Sequence, residues 1–268
     1  MVNLSRFSLD GKVALVTGAS RGMGQATAIG FAEAGADVAV ASRKLPDLEK
    51  VADEIRKTGR KALPVAAHIG KMEEIGKLVE TVMAEFGRID ILVNNAGGNP
   101  ALASCLDADE RLWDNIVNLN LKGVYFLSQA VARIMKEKGG GKIINTASID
   151  AYKPEWNVSI YTITKAAVTM LTKCMALELA QYNIRVNAVA PGAITTRLFD
   201  SHWFHLPEEE AKAGREKMAK SIPMQRIGNP DDVVGVMLYL ASDASSYTTG
   251  DTIVVDGGML VGPVPQGH

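Results

Sequence analysis

Short apolar runs alternate along the chain with longer segments whose apolar residues recur at helical spacing. Runs such as 89–93 and 142–144 lack the in-and-out alternation of a strand with one face in water, which indicates strands covered on both faces. This rhythm is typical of an α/β fold, a doubly wound parallel sheet flanked by helices. Seven strands are predicted, near 12–17, 37–42, 61–67, 89–93, 141–147, 184–190 and 252–256.

The alternation of predicted strands and helices is interrupted at 197–228, between the sixth predicted strand and the next helix. Long insertions of this kind often serve as lids over a site. Five apolar residues favour a substrate lid, because clustered aromatic side chains are rarely left in water without purpose. These are Leu198, Phe199, Trp203, Phe204 and Leu206, followed by a charged segment, 208–220, that predicts a short exposed helix. A plain surface excursion remains the alternative.

Composition limits the classes of function. The 268 residues, 47% of them hydrophobic, predict one domain spanning 1–268. A formal net charge of −1, with no dense Lys/Arg tract and no membrane-length apolar run, argues against nucleic acid and membrane partners. Two cysteines, Cys105 and Cys174, are too few for a disulfide scaffold and fit a cytoplasmic setting. No metal is expected, because the histidines form no ligand array; they are His68, His202, His205 and His268.

A glycine-rich turn, Thr17 to Gly24, lies between the first predicted strand and the first helix. Gly18 can adopt the backbone angles of a tight turn, Gly22 lets a ligand approach the main chain, and Gly24 lets the helix pack closely on the sheet. The free N–H groups and the positive dipole end at the helix start favour a pyrophosphate. A glycine triplet alone is weak evidence, so a purely structural turn stays possible at this point.

Two asparagine features follow the fourth predicted strand. The segment Asn94 to Gly98 combines small residues with amides that can tie loops together or meet a cofactor. Asn120 lies within an apolar helical pattern, where an amide is mildly unfavourable because it competes for backbone hydrogen bonds. It is either a satisfied structural residue or one that holds a water molecule or a lysine near an active site.

Three side chains suited to proton transfer follow. Ser148 ends the fifth predicted strand, and Tyr161 and Lys165, spaced i and i+4, share one face of a helix. A phenol, with a reference pKa of about 10, needs a neighbouring cation to act as a base near neutrality, and Lys165 lies one turn away. Ser148 can hold a substrate oxygen beside the phenol, which suits hydride transfer, with a cofactor supplying the hydride. The absence of a nucleophile–His–Asp arrangement weakens a hydrolase interpretation.

In this order, the motifs resemble those of the short-chain dehydrogenase/reductase family over nearly the whole chain: T-G-x-x-x-G-x-G, N-N-A-G, Asn120, Ser148, Y-x-x-x-K and Pro191-Gly192. The resemblance implies a Rossmann-like sheet of seven parallel strands, a nicotinamide cofactor and a homotetramer. It also implies a catalytic tetrad, Asn120, Ser148, Tyr161 and Lys165, in which Asn120 supports a proton relay through water to Lys165. The implied cofactor contacts are Gly18, Ser20, Arg21, Gly22, Met23, Gly24, Ser42, Arg43, His68, Ile69, Asn95, Ala96, Gly97, Tyr161, Lys165, Pro191, Gly192, Ile194 and Thr196.

The residues favour NADP(H) over NAD(H). No carboxylate ends the second predicted strand, where NAD-specific relatives tend to carry one. Ser42 can bind a 2′-phosphate, and Arg43 and Arg21 add two cations, although solvated surface arginines are the alternative. His68 stands where relatives usually carry an aspartate for the adenine amino group, and an imidazole can substitute as a hydrogen-bond partner.

The substrate is expected to be a small carbonyl or alcohol with an apolar body. The pocket residues predicted for it are Ile149, Asp150, Trp156, Phe199 and Trp203. A 3-oxoacyl reductase acting on carrier-protein or CoA substrates is the rival within the family, and Gly139 and Tyr182, where such relatives tend to have basic residues, count modestly against it. A non-catalytic dinucleotide-binding regulator is the alternative from another class.

Overall fold

The computed structural model describes residues 4–200, 203 and 206–262. Phe204 of the predicted lid and the histidines at 202, 205 and 268 lie outside the described residues. Seven parallel strands form one sheet, flanked by helices, in a single Rossmann-like domain. The strands are β1 (Val13–Thr17), β2 (Asp37–Ser42), β3 (Ala62–Ala66), β4 (Ile91–Asn94), β5 (Gly141–Thr146), β6 (Ile184–Pro191) and β7 (Thr252–Val255).

The main helices among the described residues are α1 (Gly22–Glu33), α2 (Leu45–Lys57), α3 (Met72–Phe86), α4 (Glu110–Val117), α5 (Gly123–Glu137), α6 (Ser159–Leu179), α7 (Arg197–Asp200), α8 (Glu208–Ser221) and α9 (Val234–Ala241). Short 3-10 segments cover Leu4–Phe7, Ile149–Ala151, Ala180–Tyr182, Pro230–Val233 and Asp243–Ser245, and a π-helical turn, Asn118–Lys122, joins α4 to α5.

The strand order is β3-β2-β1-β4-β5-β6-β7. The chain therefore builds outward from β1 to β3, crosses back, and continues on the other side of β1 with β4. Ligands of doubly wound sheets bind outside the carboxyl ends of the strands at such a reversal. The glycine-rich turn after β1 and the N-N-A-G segment after β4 meet at this point.

Successive strand residues face opposite layers of the core. Leu15 and Leu92 pack in the layer that contains α3, α5 and α6, whereas Val16 and Val93 pack in the layer that contains α1, α2 and α9. Both faces of the sheet are thus buried, which explains why the central strands are continuously apolar. The predicted strand positions are confirmed within one or two residues at each end.

The insertion after β6 begins and ends at the same place. The Thr195 N–H donates to the Gly228 carbonyl oxygen at 2.8 Å, and the Gly228 N–H donates to the Ala193 carbonyl oxygen at 2.9 Å. The predicted charged helix is present as α8. Within the described ranges, no helix is long and apolar enough to cross a membrane, and no group of three or more His, Cys, Asp or Glu residues could hold a metal ion.

Candidate active site

The glycine-rich turn after β1 is tied to the end of β4 by two polar side chains. The Thr17 hydroxyl donates to the Val93 carbonyl and accepts from the N–H groups of Asn95 and Ala96, each at 3.1 Å. The Asn95 amide donates to the carbonyl oxygens of Thr17 at 3.1 Å and Gly18 at 3.3 Å. The Asn95 side chain therefore fixes the shape of the turn.

Each of the three glycines of the turn has its own steric reason. Gly18 has φ +64°, and a Cβ there would lie 2.8 Å from the Cα of Ala96. Gly22 has φ +57° and faces the Thr196 methyl group, which a Cβ would approach to 3.2 Å. At Gly24, a Cβ would lie 2.5 Å from the Gly18 carbonyl oxygen. Gly24 thus lets α1 pack against the turn itself, where the sequence predicted close packing on the sheet.

The ends of β2 and β3 form a corner beside this turn. The hydroxyl oxygens of Ser20 and Ser42 are 3.1 Å apart. Arg21 and Arg43 are both exposed, and the guanidinium group of neither makes an ion pair or hydrogen bond within the described residues. Because α1 begins without a side-chain cap, its first N–H groups are available to an anion. Two guanidinium groups, two hydroxyls and a helix start fit the phosphates of a 2′-phosphorylated dinucleotide.

Asn120 lies in the π-helical turn between α4 and α5, not in a regular helix. Its side chain is almost fully buried and pairs with the main chain of one residue: Gly98 donates its N–H to Oδ1, and Nδ2 donates to the Gly98 carbonyl oxygen, both at 2.9 Å. A longer contact of 3.4 Å joins Nδ2 to the Thr164 hydroxyl. The amide therefore holds the loop after β4, and it makes no hydrogen bond to Lys165.

Ser148 and Tyr161 come together at the carboxyl end of β5. The Ser148 hydroxyl accepts a hydrogen bond from the Asp150 N–H at 3.1 Å and is a polar neighbour of the Tyr161 phenol. Burial raises the pKa of Tyr161 above its usual range, the Asp150 carboxylate raises it further, and the neighbouring Ser148 hydroxyl opposes both. The sequence argument relied on Lys165 to favour the phenolate, whereas burial and the Asp150 charge dominate here.

Lys165 is buried and anchored to the sheet. Its Nζ donates to the Thr146 carbonyl oxygen at 2.7 Å and lies 5.4 Å from the centre of the Tyr161 ring. Burial lowers the pKa of Lys165 to about 8, and Asp150 opposes that effect. A Cβ on Gly97 would lie 3.4 Å from Nζ and from the Asn120 Oδ1, so Gly97 lies directly beside this lysine and the amide.

The segment after β6 lies at the same carboxyl edge of the sheet as the glycine-rich turn and Ser148. Gly192 is crossed closely by the turn after β7, since a Cβ there would lie 2.8 Å from the Cα of Asp256. Pro191 is the last residue of β6, and Ile194 is buried beside Gly228. Together with Thr196 against Gly22, these residues border the end of the site away from Ser42. Three further predicted cofactor residues, Met23, Ile69 and Ala96, are half-buried or buried at the same edge.

The residues predicted to line the substrate pocket do not all lie beside Ser148. Ile149 and Asp150 are half-buried directly after Ser148, whereas Trp156 is 83% exposed and is not drawn into the site in this structure. Phe199 and Trp203 meet edge to face with ring centres 6.4 Å apart, and Trp203 packs over Gly214 of α8. Phe199 and Trp203 of the insertion thus pack on each other.

Two features of this site were missed in the sequence. The Thr146 carbonyl that receives Lys165 is a backbone group, which no residue pattern identifies. The charge of Asp150 acts on both Tyr161 and Lys165, although the sequence placed this residue only among the pocket walls. The polar side chain two positions after Ser148 was the available signal for it.

Comparison with known proteins agrees with this geometry. A family model described as enoyl-(acyl carrier protein) reductase matches residues 18–260. The dehydrogenase/reductase SDR family member 4 of Sus scrofa is 39% identical over 253 residues, covering 94% of this chain and 88% of the relative.

Two solved structures are similar in fold. A gluconate 5-dehydrogenase from Burkholderia cenocepacia in complex with NADP and tartrate has a TM-score of 0.88 at 35% identity, covering 96% of this chain and 98% of that one. A 7α-hydroxysteroid dehydrogenase complexed with NADH and 7-oxo glycochenodeoxycholic acid has a TM-score of 0.89 at 36% identity, with coverage of 96% and 98%. The fold, the ordered motifs and these matches show that the chain belongs to the short-chain dehydrogenase/reductase family.

Proposed function

We propose that this oxidoreductase transfers a hydride between NADP(H) and a ketone or secondary alcohol with an apolar body, with Tyr161 as the general acid and base. The observation that carries the proposal is that Ser148, Tyr161 and the buried Lys165 lie together, with Nζ of Lys165 5.4 Å from the centre of the Tyr161 ring and Gly97 beside Nζ. A purely structural role would not require a buried lysine beside the partly buried phenol of Tyr161.

Each residue then has a defined task. Ser148 donates a hydrogen bond to the substrate oxygen and holds it beside the phenol. In reduction, Tyr161 gives its proton to that oxygen, and its raised pKa keeps the phenol protonated at neutral pH. Lys165 presents an ammonium group toward the cofactor ribose, and Asn120 holds the loop at Gly98. When bound, the nicotinamide group supplies or accepts the hydride.

The preference for NADP(H) rests on Arg43, Arg21 and Ser42. Both arginines are exposed without a partner among the described residues, and no carboxylate ends β2 to repel a 2′-phosphate. The test is the ratio of kcat/KM for NADPH to that for NADH in the wild type, in Arg43→Asp and in the neighbouring control Lys44→Gln. The proposal expects a ratio above one that Arg43→Asp reverses and Lys44→Gln leaves unchanged. A wild-type ratio of one or less contradicts it.

Two classes of candidate substrate differ in the polarity of the part of the molecule that surrounds the reacting carbon. Phe199 and Trp203 in the insertion favour an apolar body, as in the steroid of one structural neighbour. Asp150 favours a second candidate, a ketone or alcohol with further hydroxyl groups, because a carboxylate beside the reacting oxygen accepts hydrogen bonds from substrate hydroxyls. The gluconate 5-dehydrogenase neighbour acts on a compound of that type.

A matched panel of cyclic ketones and polyhydroxylated ketones, followed by NADPH absorbance, tests these candidates. If Asp150→Asn lowers kcat/KM for the hydroxylated members at least tenfold and spares the apolar members, the second candidate is correct. The same panel includes a 3-oxoacyl-CoA, which tests the alternative that the enzyme is a 3-oxoacyl reductase. The regulator alternative is favoured if the protein binds NADPH, turns over no member and is unchanged by Tyr161→Phe.

We also propose a homotetramer in the cytoplasm. Support comes from exposed apolar residues on one stripe of α6, namely Ile163, Met170 and Leu177, which are 51%, 58% and 83% exposed. Such a stripe at heptad spacing is typical of a helix that packs against another copy. Both cysteines, Cys105 and Cys174, are free thiols, as expected in a reducing compartment. Light scattering after size exclusion tests the tetramer, which a monomeric mass would contradict.

A further inference from the structure

A recess of about 240 Å³ lies at the amino ends of four neighbouring strands, β1, β4, β5 and β6. Lys12 and Asp90 directly precede β1 and β4, Gly141 begins β5, and Asn183 precedes β6; all four residues line the recess. Because the strands are parallel, this edge of the sheet is the one opposite the glycine-rich turn and Ser148. A molecule bound here would touch none of the residues assigned to hydride transfer.

The recess concentrates positive charge. Seven of the described residues that line it are charged, and five of the seven are cations, an excess of three positive charges. The chain as a whole has a formal net charge of −1, so the excess belongs to this place and not to the composition. The cations are Lys12, Arg88, Lys138, Lys142 and Arg185, and the carboxylates belong to Asp90 and Asp243.

Ion pairs within the recess use two of the five cations. Nε of Arg88 donates to the Asp90 carboxylate at 2.8 Å, and Nζ of Lys142 lies 3.0 Å from the Asp243 carboxylate. The other three cations make no ion pair among the described residues; they are Lys12, Lys138 and Arg185.

The Asp243 carboxylate shows how closely these cations are grouped. Its pKa is held below the usual range, first by the hydrogen bond and the charge of Lys142 and then by the charges of Lys12 and Arg185. One carboxylate therefore faces three cations. The imbalance exists within the recess itself and is not an effect of distant surface charges.

Arg185 is a half-buried cation that is already held in position. Its guanidinium group donates to the carbonyl oxygens of Thr248 at 3.0 Å, Leu240 at 3.0 Å and Ser242 at 2.9 Å. Burial lowers the pKa of Arg185, because carbonyl groups orient the guanidinium but supply no negative charge. A ligand that binds a cation fixed in this way does not have to order it, which favours binding.

The lining groups decide the class of ligand. Ammonium and guanidinium groups donate hydrogen bonds and accept none, so they select an oxyanion, and the excess of three charges favours an oxyanion with two or more negative charges. The volume of about 240 Å³ is below the about 300–1,000 Å³ of sites for drug-sized ligands, which favours a compact molecule. We propose that this recess is a second ligand site, which binds a compact oxyanion of the phosphate or pyrophosphate class. The site is separate from the proposed NADP(H) function and does not depend on it.

Calorimetric titration with pyrophosphate tests the site at constant ionic strength. The titration is made with and without saturating NADPH, because the glycine-rich turn also attracts a pyrophosphate. The double variant Lys12→Gln/Lys138→Gln removes two cations whose side chains make no hydrogen bond or ion pair in the described chain. The matched control Lys77→Gln/Lys136→Gln removes two exposed cations that do not line the recess, one of them from the same end of α5 as Lys138. Circular dichroism checks the folding of both.

We expect one pyrophosphate per chain in the NADPH-saturated wild type and in the control, and a Kd at least fivefold higher in Lys12→Gln/Lys138→Gln. Without NADPH, the same rise is expected for one of the bound pyrophosphates. The midpoint of thermal unfolding should rise with pyrophosphate in the wild type and the control, and less in Lys12→Gln/Lys138→Gln. ADP, added with NADPH present, separates two sources of the anion. It competes with pyrophosphate only if the site takes the diphosphate end of a larger molecule.

Three results would overturn the proposal: no pyrophosphate bound by the wild type beyond the one that NADPH displaces, a rise in Kd of less than fivefold in Lys12→Gln/Lys138→Gln, or an equal rise in the control. Citrate that binds more tightly than pyrophosphate would overturn the phosphate class. In each of these the proposed function still stands, because the dinucleotide binds at the opposite edge of the sheet. If NADPH does not bind the wild type, the proposed function fails, and the titrations without NADPH still decide whether the recess binds pyrophosphate.

Discussion

The Nζ atom of Lys165 donates a hydrogen bond of 2.7 Å to the carbonyl oxygen of Thr146, which joins α6 to the end of β5 two residues before Ser148. The position of this ammonium group is therefore fixed by the sheet and not by the ring of Tyr161, whose centre lies 5.4 Å away. Removing the phenol hydroxyl should leave the lysine where it is.

Tyr161→Phe separates proton transfer from cofactor binding. Loss of a general acid typically lowers the rate about 10²- to 10⁴-fold, and we expect kcat to fall within that range. The Kd for NADPH should stay within twofold of the wild type, because Lys165 keeps its bond to Thr146. Lys165→Met is the comparison, and it should weaken NADPH binding as well as turnover. Tyr161→Phe with normal kcat would refute the assignment of Tyr161.

Burial and the Asp150 charge together set the pH dependence of the reaction through Tyr161. Oxidation of an alcohol needs the phenolate of Tyr161, whose pKa is raised, so the oxidation rate should increase as the pH rises, whereas reduction needs the phenol and should be level around neutrality. Asp150→Asn removes a charge of the same sign as the phenolate, which lowers the pKa of Tyr161 and moves the rising limb to lower pH.

The matched control is Glu155→Gln, since this carboxylate lies in the same loop but is not among the groups that shift the pKa of Tyr161. Profiles of kcat against pH for alcohol oxidation check the prediction. A limb that stays in place in Asp150→Asn, or that moves equally in Glu155→Gln, would show that the Asp150 charge does not act on the phenol.

Asn120→Ala should weaken the loop after β4. The change leaves the N–H and the carbonyl of Gly98 without their partner, and each unsatisfied group costs about 1–3 kcal/mol when buried. We expect a loss of about 2 kcal/mol or more in the free energy of unfolding, measured by urea denaturation. Asn118→Ala, in the same π-helical turn but without a side-chain hydrogen bond in the described chain, should cost under ~0.5 kcal/mol. Equal losses would mean that the turn itself, and not the Gly98 contact, is being disturbed.

The sequence predicted the sheet because burial of both faces leaves a direct pattern: strands without polar alternation, such as those containing Leu15 and Val93. The glycine-rich turn and the pairing of Tyr161 with Lys165 were likewise readable, since they depend on residue type and helical spacing. The π-helical turn at Asn120 was not, because a widened turn retains nearly the same apolar spacing as a regular helix.

Contacts made by main-chain groups could not be predicted from the sequence either. Lys165 bonds a carbonyl group, and Nδ1 of His68 accepts a hydrogen bond from the Gly70 N–H, but every residue carries such main-chain groups and none of them is visible in the sequence. The pKa shift of Tyr161 could likewise not be predicted from the sequence, since burial and the distance to Asp150 are properties of the packed site.

Gly24→Ala should damage the turn, whereas a glycine substitution in an open part of another helix should help the protein. At Gly24 the added methyl group would lie 2.5 Å from the Gly18 carbonyl oxygen and against the Asn95 amide, so the backbone of the turn must shift, at a cost of about 1–3 kcal/mol. At Gly76, in α3, nothing lies within 4 Å of the same methyl group. Gly76→Ala should therefore stabilise the protein by about 0.5–1 kcal/mol, because alanine has the higher helix propensity.

Urea denaturation and NADPH titration of the two variants check this contrast. Gly24→Ala should lose both stability and NADPH affinity, since the displaced turn carries the N–H groups available to a phosphate. Gly76→Ala should gain stability and keep its affinity. If Gly24→Ala keeps full NADPH affinity while it loses stability, the turn is a structural element only, and the phosphates must bind elsewhere.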